Sequence, residues 1–370
     1  MKITRISVFQ KDLNLSRPYS LSGGRLSFKR IDSTFVRIET DENIHGWGEA
    51  CPWGVTYLPA HGKGIRAVID EIGHLLIGLD PRRSNHIDRT MDLALPGHLY
   101  GKAALDIACW DIRAKAANLS VVDALGGRFD ESTPIASSVS TNAPEDMMVE
   151  IDRYRAMGYH VHSAKVGADV DMDIKRIRYM AEHQNPGELI FYDVNRAWLP
   201  AEAIQVMNAT SDLPIMFEQP CETLDQCAVV RTQTTQVISI DERLESFEDM
   251  LRIQGQRIGE VVNIKLNRVG GLTKAVKLRD FCLNTGIKML TMDTGGTVLA
   301  DTVVQHFAQS IPRESRLGTW LCHDLLDAAA EVAPGQGSRN QSGLTSAPDL
   351  IGIGVEPELA LLGDPIAVYE

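Results

Sequence analysis

Short apolar stretches recur at regular intervals along the chain, and most of them are closed by a charged or aromatic residue. From Lys165 onward, successive closing positions are separated by 28, 25, 23, 24, 28 and 27 residues. Each interval holds one helix and two loops, which is typical of parallel βαβ units. The predicted strand ends lie near these residues: Val139, Lys165, Asp193, Glu218, Asp241, Lys265, Asp293 and Trp320. Eight strands at this spacing predict a (β/α)8 barrel of the α/β class.

The segments between these strands carry helical periodicity. After Asp171, the apolar residues Ile174, Ile177 and Met180 follow the spacing of one helix face. A doubly wound sheet is the alternative fold, but it usually carries a glycine-rich dinucleotide loop after its first strand. The sequence contains no GxGxxG motif, so the barrel is preferred.

The first 125 residues are organised differently. Strand patterns such as KITRISVF and STFVRIET alternate with helical segments and predict an α+β domain over residues 1–125. One long helix is expected from Tyr100 to the glycine pair Gly126 and Gly127, which should end it.

Two further boundaries follow from composition. The barrel is assigned to residues 126–325, and residues 326–370 form a C-terminal segment. That segment opens with a loop rich in glycine, serine and proline and is expected to return to the N-terminal domain.

Charge and cysteine usage exclude several classes of protein. The formal net charge of -12 disfavours a nucleic-acid surface, so a small-molecule partner is expected. The six cysteines form no CxxC pair and are interpreted as reduced thiols of a cytoplasmic protein. No signal peptide is evident, and no apolar run approaches the roughly 18 to 20 residues that cross a bilayer. A soluble protein without a membrane partner is therefore predicted.

Three acids close adjacent strands of the predicted barrel. Asp193, Glu218 and Asp241 should converge, because barrel strands present their carboxyl ends on one face. Converging carboxylates repel one another unless a cation lies among them, and an all-oxygen ligand set suits Mg²⁺. The alternative for each acid is a helix cap or an arginine pair.

Two lysines flank the three acids. Lys165 and Lys265 close strands on either side of the acidic group, and a nearby metal with low-dielectric walls should lower the pKa of a lysine toward that of a general base. Such a pair could move protons on opposite faces of one carbon. The alternative is that each lysine forms a salt bridge with a ligand carboxylate.

Together these motifs resemble one family. The order Lys165, Asp193-Val-Asn195, Glu218-Gln219-Pro, Asp241-Glu and Lys265 within NIKLNRVGGLTKA is similar to the enolase superfamily, in particular its muconate lactonizing enzyme subgroup. GWGEACPW and ALDIACWDIRAKA extend the resemblance into the N-terminal domain.

The resemblance implies both a fold and a chemistry. The fold is a modified TIM barrel with an α+β capping domain completed by the C-terminal segment. The three acids would bind Mg²⁺, a lysine would abstract the proton α to a substrate carboxylate, and the metal would stabilise the enediolate. A homo-oligomer is also expected from the resemblance.

Further residues acquire roles by the same resemblance. Asn195 and Gln219 would support the ligands. Two loops, Leu21 to Arg25 and Cys51 to Tyr57, would cover the substrate, and Tyr57 is a candidate substrate contact.

The sequence departs from the family pattern at two positions. Relatives usually carry Lys-x-Lys where this chain has Ser163-Ala-Lys165, and the serine hydroxyl could meet a substrate hydroxyl. Asp293 stands where glutamate or histidine is commoner, and Trp320 closes the next strand. An acid and an aromatic face predict a substrate with an ammonium nitrogen. Alternatively, Trp320 only packs the barrel mouth.

With these departures, the sequence resembles the branch of the family that acts on hydroxyprolines. The predicted reaction is dehydration of cis-3-hydroxy-L-proline to a pyrroline-2-carboxylate. Racemisation or 2-epimerisation of proline, proline betaine or another amino-acid derivative is the alternative. Two further alternatives belong to other classes of protein. They are an aldolase that forms a Schiff base through a lysine and a barrel without catalytic activity.

Overall fold

The structure is a computed structural model that describes residues 1–21 and 25–370. The N-terminal part consists of antiparallel strands followed by helices. These elements are β1 (Ile3–Leu21), β2 (Leu26–Thr40), β3 (His45–Ala50), α1 (Gly62–Ile72), α2 (Ser84–Ala94), α3 (Leu99–Ala116) and α4 (Val121–Ala124).

The central part alternates strands and helices. Its elements are β4 (Thr133–Pro134), β5 (Ala136–Val139), α5 (Pro144–Ala156), β6 (Val161–Lys165), α6 (Val170–Glu182), β7 (Leu189–Asp193), α7 (Pro200–Ala209), β8 (Met216–Glu218), α8 (Leu224–Arg231), β9 (Val237–Ile240), α9 (Phe247–Gly255), β10 (Val261–Lys265), α10 (Leu266–Val269), α11 (Leu272–Thr285), β11 (Lys288–Met292), α12 (Val298–Gln309) and β12 (Arg316–Thr319). The C-terminal segment adds β13 (Leu344–Thr345), α13 (Leu359–Leu362) and β14 (Ala367–Tyr369).

The predicted barrel is confirmed. Strands β5 to β12 form one eight-stranded parallel sheet in sequential order, and its two edges meet at a single parallel bridge between Ile135 and Thr319. The predicted strand ends agree with the observed ones to within one residue, since Asp241, Asp293 and Trp320 directly follow β9, β11 and β12. The regular βα spacing was therefore a reliable guide, because each interval contains one complete strand and helix.

Local sequence signals explain where the barrel helices begin. Asp169 accepts a hydrogen bond from the backbone N–H of Met172 at the start of α6. Thr223 and Gln226 form a reciprocal capping box at the start of α8. Both caps lie in strand-to-helix loops, which the parallel strands bring to the end of the barrel that carries the predicted site.

The prediction of one unbroken helix up to the glycine pair is wrong, because the helix is interrupted. It ends at Ala116, and α4 starts separately at Val121. Between them Asn118 adopts a left-handed conformation with φ of 56°, and the Ser120 side chain accepts a hydrogen bond from Asp123 N to begin the new helix. Helical periodicity is compatible with one helix or with two, so it did not reveal the break.

The N-terminal sheet is completed by the C-terminus, as expected from the fold prediction. Its strand order is β14-β1-β2-β3, with Ile6 opposite Tyr369. The exact domain boundaries at residues 125 and 325 stay predictions. In the part of the chain that the structure describes, no helix has the length and apolar character needed to span a membrane.

Buried polar contacts hold this capping domain on the barrel. The carboxylate of Glu49 accepts hydrogen bonds from Thr297 N, Thr297 Oγ1 and Ala300 N at the start of α12. Burial raises the pKa of Glu49 to about 7. On α3, Asp106 Oδ2 accepts from Thr273 N at 2.9 Å. Because α11 and α12 belong to the barrel, these contacts fix the cap over the ends of the strands.

Candidate active site

A cavity of about 50 Å³ lies where the cap meets the carboxyl ends of the barrel strands. Ten of the predicted site residues line it. They are Tyr57, Ser163, Lys165, Asp193, Asn195, Glu218, Asp241, Lys265, Asp293 and Trp320. Gln219, the remaining one, is buried beneath the cavity wall.

Strand alternation explains why Ser163 and Lys165 share this cavity. Side chains along a strand point to opposite faces in turn, so Val161, Ser163 and Lys165 face the barrel interior. Val161 belongs to the apolar cluster inside the barrel, whereas Ala164 packs in the outer core with the helices. The interior is therefore apolar at its base and polar where the strands end.

Lys165 is paired with a predicted metal ligand. Its Nζ donates to Asp193 Oδ2, and the two residues are in register on β6 and β7. Burial alone would lower the pKa of Lys165, but the negative charge of Asp193 outweighs it and raises that pKa above its ordinary value. This contact is the salt bridge considered as the alternative, whereas the predicted lowering of the pKa by a bound metal stays a prediction.

Lys265 occupies the equivalent place on the opposite wall. Its Nζ donates to Asp241 Oδ2 at 2.8 Å and lies 5.9 Å from the ring centre of Tyr57. Asp241 Oδ1 also accepts from the buried guanidinium of Arg268 at 2.7 Å. Burial opposes ionisation of Asp241, but Lys265 and Arg268 together hold its pKa below the usual range.

The three acids interact electrostatically. Burial raises the pKa of Glu218 well above its ordinary value, and repulsion from Asp193 and Asp241 raises it further. Glu218 Oε1 accepts one hydrogen bond, from Asn263 Nδ2 at 2.9 Å. Mutual destabilisation of buried carboxylates is the condition that a divalent cation relieves, so this donor set fits a metal such as Mg²⁺.

The acids are not already arranged as a metal site. Among residues 1–21 and 25–370, no three His, Cys, Asp or Glu side chains are grouped closely enough to hold an ion. Instead, Lys165 and Lys265 form ion pairs with Asp193 and Asp241. The assignment of the three acids to Mg²⁺ stays a prediction.

Asn195 and Gln219 support the acids through hydrogen bonds. Asn195 donates from its backbone N to Asp193 Oδ1 at 2.9 Å and from Nδ2 to Asp193 Oδ2 at 3.1 Å. Gln219 Oε1 accepts from the backbone of Asp241 at 3.1 Å and of Arg243 at 3.2 Å. Both residues have positive φ angles, of 45° and 38°. Such backbone strain is often held where side chains must be aimed at a site.

Comparison with known proteins identifies the family. The Mandelate racemase / muconate lactonizing enzyme N-terminal domain matches residues 3–126, and the Enolase C-terminal domain-like family matches residues 146–361. The chain belongs to the enolase superfamily. It is thus an enzyme of a superfamily whose barrel and cap correspond to those seen here.

Several members of the superfamily are similar over most of their length. A cis-3-hydroxy-L-proline dehydratase from Roseibium aggregatum is 38% identical over 371 residues, covering 100% of both chains. An N-succinyl-L-Arg/Lys racemase from Bacillus cereus is 34% identical, covering 78% of this chain and 79% of the racemase. A solved structure of an enolase-superfamily member from Roseovarius nubinhibens, complexed with magnesium, has a TM-score of 0.96 at 47% identity and covers 100% of this chain and 99% of that one.

Tyr57 reaches this superfamily site from the cap and is held by residues that the sequence did not single out. Its hydroxyl donates to Glu242 Oε1 at 2.9 Å, and its backbone carbonyl accepts from Arg196 Nη2 at 2.6 Å. Glu242 is fully buried, and burial together with repulsion from Asp241 and Asp193 raises its pKa. The loop from Cys51 to Tyr57 therefore closes directly onto the residue that follows a predicted ligand.

The second predicted loop is only partly within the described residues. Residues 22–24 of the predicted loop from Leu21 to Arg25 lie outside them, so this loop stays a prediction. Leu21, at the end of β1, lines the cavity.

Trp320 is part of an aromatic wall rather than an isolated ring. Its ring centre lies 6.1 Å from that of Trp53 and 6.4 Å from that of Tyr19, and Tyr19 meets Trp53 edge-on at 5.2 Å. Trp53 and Tyr19 both come from the cap and were not predicted as site residues. Trp53 lies within the predicted covering loop, which was the one available signal.

Asp293 lines the cavity beside this wall, and its carboxylate is held by backbone groups. It accepts hydrogen bonds from Thr294 N at 2.8 Å and Asn267 N at 3.2 Å. Burial raises the pKa of Asp293 to about 7 despite these bonds. A cationic partner would favour its charged form.

Proposed function

We propose that this enzyme removes the α-proton of an amino- or imino-acid carboxylate in a Mg²⁺-dependent reaction, and that its substrate is cis-3-hydroxy-L-proline. Water is eliminated, and the resulting enamine tautomerises to a pyrroline-2-carboxylate. The observation that carries the proposal is the position of two buried lysines on opposite walls of one cavity. The 38% identical dehydratase supports this choice of substrate.

Barrel geometry supports the opposed position of the two lysines. Lys165 closes β6 and Lys265 closes β10, so three of the eight strands lie between them on either side of the barrel. Side chains at strands half a barrel apart approach a central ligand from opposite sides. Each lysine can therefore exchange a proton with a different face of the same ring.

The stereochemistry of the substrate suits this arrangement. In cis-3-hydroxy-L-proline the hydroxyl lies on the same ring face as the carboxylate, so the α-hydrogen lies on the other face. One lysine takes the α-proton, and the freed electron pair forms the C2=C3 bond. The C3–O bond breaks, and the oxygen leaves as water with a proton from the opposite face. The ammonium form of the second lysine can supply that proton.

Asp193, Glu218 and Asp241 would hold the Mg²⁺ ion. When bound, the ion supplies positive charge where an enediolate develops. A bound cation would relieve the repulsion that Glu218 experiences from Asp193 and Asp241, which supports this assignment. The magnesium complex of the Roseovarius nubinhibens relative supports it as well. Binding would compete with the contacts that Lys165 and Lys265 make with Asp193 and Asp241.

The substrate nitrogen is assigned to Asp293 and the aromatic wall of Trp320, Trp53 and Tyr19. An ammonium group is stabilised by a hydrogen-bonded ion pair with a buried carboxylate and by cation–π contact with aromatic faces. The apolar rings also exclude water from the reacting carbons.

Replacement of Asp293 by asparagine is expected to weaken binding of L-proline roughly tenfold or more, because a charge-assisted hydrogen bond is lost. The pKa of Asp293 is raised to about 7, so affinity of the unmodified enzyme should increase as pH rises through about 7 and the carboxylate forms. The asparagine variant should lack that increase. Calorimetric titration measures both effects. Tetrahydrofuran-2-carboxylate, which has no ammonium group, is the control ligand, and an equal loss for both ligands would contradict the assignment.

Racemisation or 2-epimerisation is the alternative function. Both lysines are present, so a proton can be removed from one face of the α-carbon and returned to the other face, and no leaving group is needed. The relative that acts as an N-succinyl-L-Arg/Lys racemase favours this alternative. Assembly into a homo-oligomer likewise stays a prediction.

A screen of proline and hydroxyproline stereoisomers with Mg²⁺ in D₂O tests the proposal. We expect pyrroline formation from cis-3-hydroxy-L-proline, with deuterium entering C3 as the enamine tautomerises, and α-deuterium uptake by L-proline, because both reactions begin with removal of the α-proton. Proton NMR and a colorimetric assay for pyrroline measure the two products. Deuterium uptake without pyrroline would reject dehydration and favour epimerisation. A substrate trapped by borohydride without any metal requirement would indicate a Schiff-base enzyme instead.

A further inference from the structure

Three hydroxyl groups line one wall of the active-site cavity beside Lys165. Tyr19 Oη and Ser138 Oγ are 2.9 Å apart, which joins the cap to the first barrel strand. Ser138 on β5 is in register with Ser163 on β6, so both side chains face the barrel interior. All three residues line the cavity, and the reaction described so far uses only Ser163 as a candidate contact.

Aromatic packing holds the ring of Tyr19 in place. Its ring packs edge-on against Trp53 at 5.2 Å and lies 6.4 Å from the ring of Trp320. The phenol therefore reaches Ser138 from a fixed aromatic support. Removal of the hydroxyl alone would leave that packing intact.

The chemistry of this wall differs from that of the others. The strand ends from β7 to β9 supply carboxylates that suit a cation, and the wall of Asp293 and Trp320 suits an ammonium group. The hydroxyl wall is uncharged and can both donate and accept hydrogen bonds, which matches a neutral substrate hydroxyl. It also lies on the side of Lys165, opposite Lys265.

We propose that Tyr19, Ser138 and Ser163 form the subsite that binds the hydroxyl at C3 of the substrate. This inference rests on the proposed function and deepens it. Tyr19 and Ser138 thereby become specificity-determining residues, since they hold the leaving oxygen on the Lys165 side while the α-hydrogen faces Lys265. The subsite makes hydrogen bonds only and forms no covalent bond.

A simpler role for the Tyr19 and Ser138 pair is to hold the cap closed over the barrel. A closing contact would affect every ligand equally. A hydroxyl subsite would affect only ligands that carry the hydroxyl. Comparison of two ligands that differ by that group therefore separates the two roles.

The experiment combines Tyr19→Phe and Ser138→Ala with cis-3-hydroxy-L-proline and L-proline. For the hydroxylated ligand we expect affinity and kcat/KM for pyrroline formation to fall roughly tenfold or more, because its hydroxyl loses a partner in a desolvated cavity. For L-proline we expect a clearly smaller loss of affinity and α-deuterium exchange, because this ligand lacks the hydroxyl and Tyr19→Phe keeps the ring that faces the ammonium group. Calorimetry and NMR in D₂O provide the readouts.

Ser137→Ala is the matched control. Ser137 precedes Ser138 on β5, and its hydroxyl bonds His162 Nδ1 at 2.8 Å on the other face of the strand. Its loss should change neither ligand's binding. Thermal unfolding checks that each variant is folded.

Three outcomes would overturn the subsite: equal losses for both ligands, no loss for either, or equal affinity of the unmodified enzyme for both. Failure of the proposed function would look different. The unmodified enzyme would then bind the hydroxylated ligand without forming pyrroline, and the binding comparison would still decide for or against the subsite.

Discussion

Replacement of Lys265 by alanine is expected to abolish both α-proton exchange and dehydration of cis-3-hydroxy-L-proline, with a loss of roughly 10⁴-fold in kcat/KM. If the proposed subsite holds the C3 hydroxyl beside Lys165, the α-hydrogen of an L-configured ring faces Lys265. Replacement of Lys165 by alanine should stop dehydration and epimerisation. It should still permit deuterium uptake by L-proline with retained configuration, because Lys265 can return a deuteron to the same face. NMR in D₂O and chiral chromatography distinguish these results.

Each of these variants removes a cation from a buried carboxylate, although Asp241 keeps Arg268, so stability must be measured beside activity. Asp193 and Asp241 lose their lysine partners, which destabilises a protein when the remaining charge is buried. Lys175→Ala, on the exposed face of α6, is the control. A Lys265 variant that exchanged the α-proton of L-proline at the unmodified rate would contradict the assignment of faces.

Replacement of Glu218 by glutamine is expected to abolish Mg²⁺ binding and activity while leaving the metal-free protein as stable as before, or more so. The amide keeps the shape of the side chain and can still accept the hydrogen bond from Asn263. It removes the repulsion from Asp193 and Asp241 that raises the pKa of Glu218. Loss of a direct ligand should weaken metal binding by more than the roughly 10- to 100-fold typical of outer contacts.

Thermal unfolding with and without Mg²⁺ measures both parts of this expectation. The unmodified enzyme should be stabilised by Mg²⁺, because a ligand that binds only the folded state raises its stability. The Glu218 variant should show no such stabilisation. Glu248→Gln, at an exposed position on α9, is the control. A variant that kept its Mg²⁺ response would remove Glu218 from the ligand set.

Much of the barrel was predictable because its signals are local. Strand alternation and the βα interval are properties of short segments, so the strand ends from Lys165 to Trp320 were placed to within one residue. The helix break after Ala116 was missed because it depends on one left-handed residue, Asn118, and on the cap that Ser120 provides.

The electrostatic state of the lysines was not predictable from spacing. A lysine at a strand end can face a metal, a substrate or a carboxylate, and these partners shift its pKa in opposite directions. Only the coordinates show that Lys165 lies against Asp193 and Lys265 against Asp241.

The barrel and the order of acids and lysines around it could be predicted from the sequence, because they follow from period-two strands and a regular interval. The superfamily was predicted from the resemblance of the strand-end motifs. Only the tertiary structure decided what the cap contributes. Tyr19 is 119 residues from Ser138, and Tyr57 is 185 residues from Glu242. No local pattern links such positions, since their contacts arise only when the capping sheet docks on the strand ends.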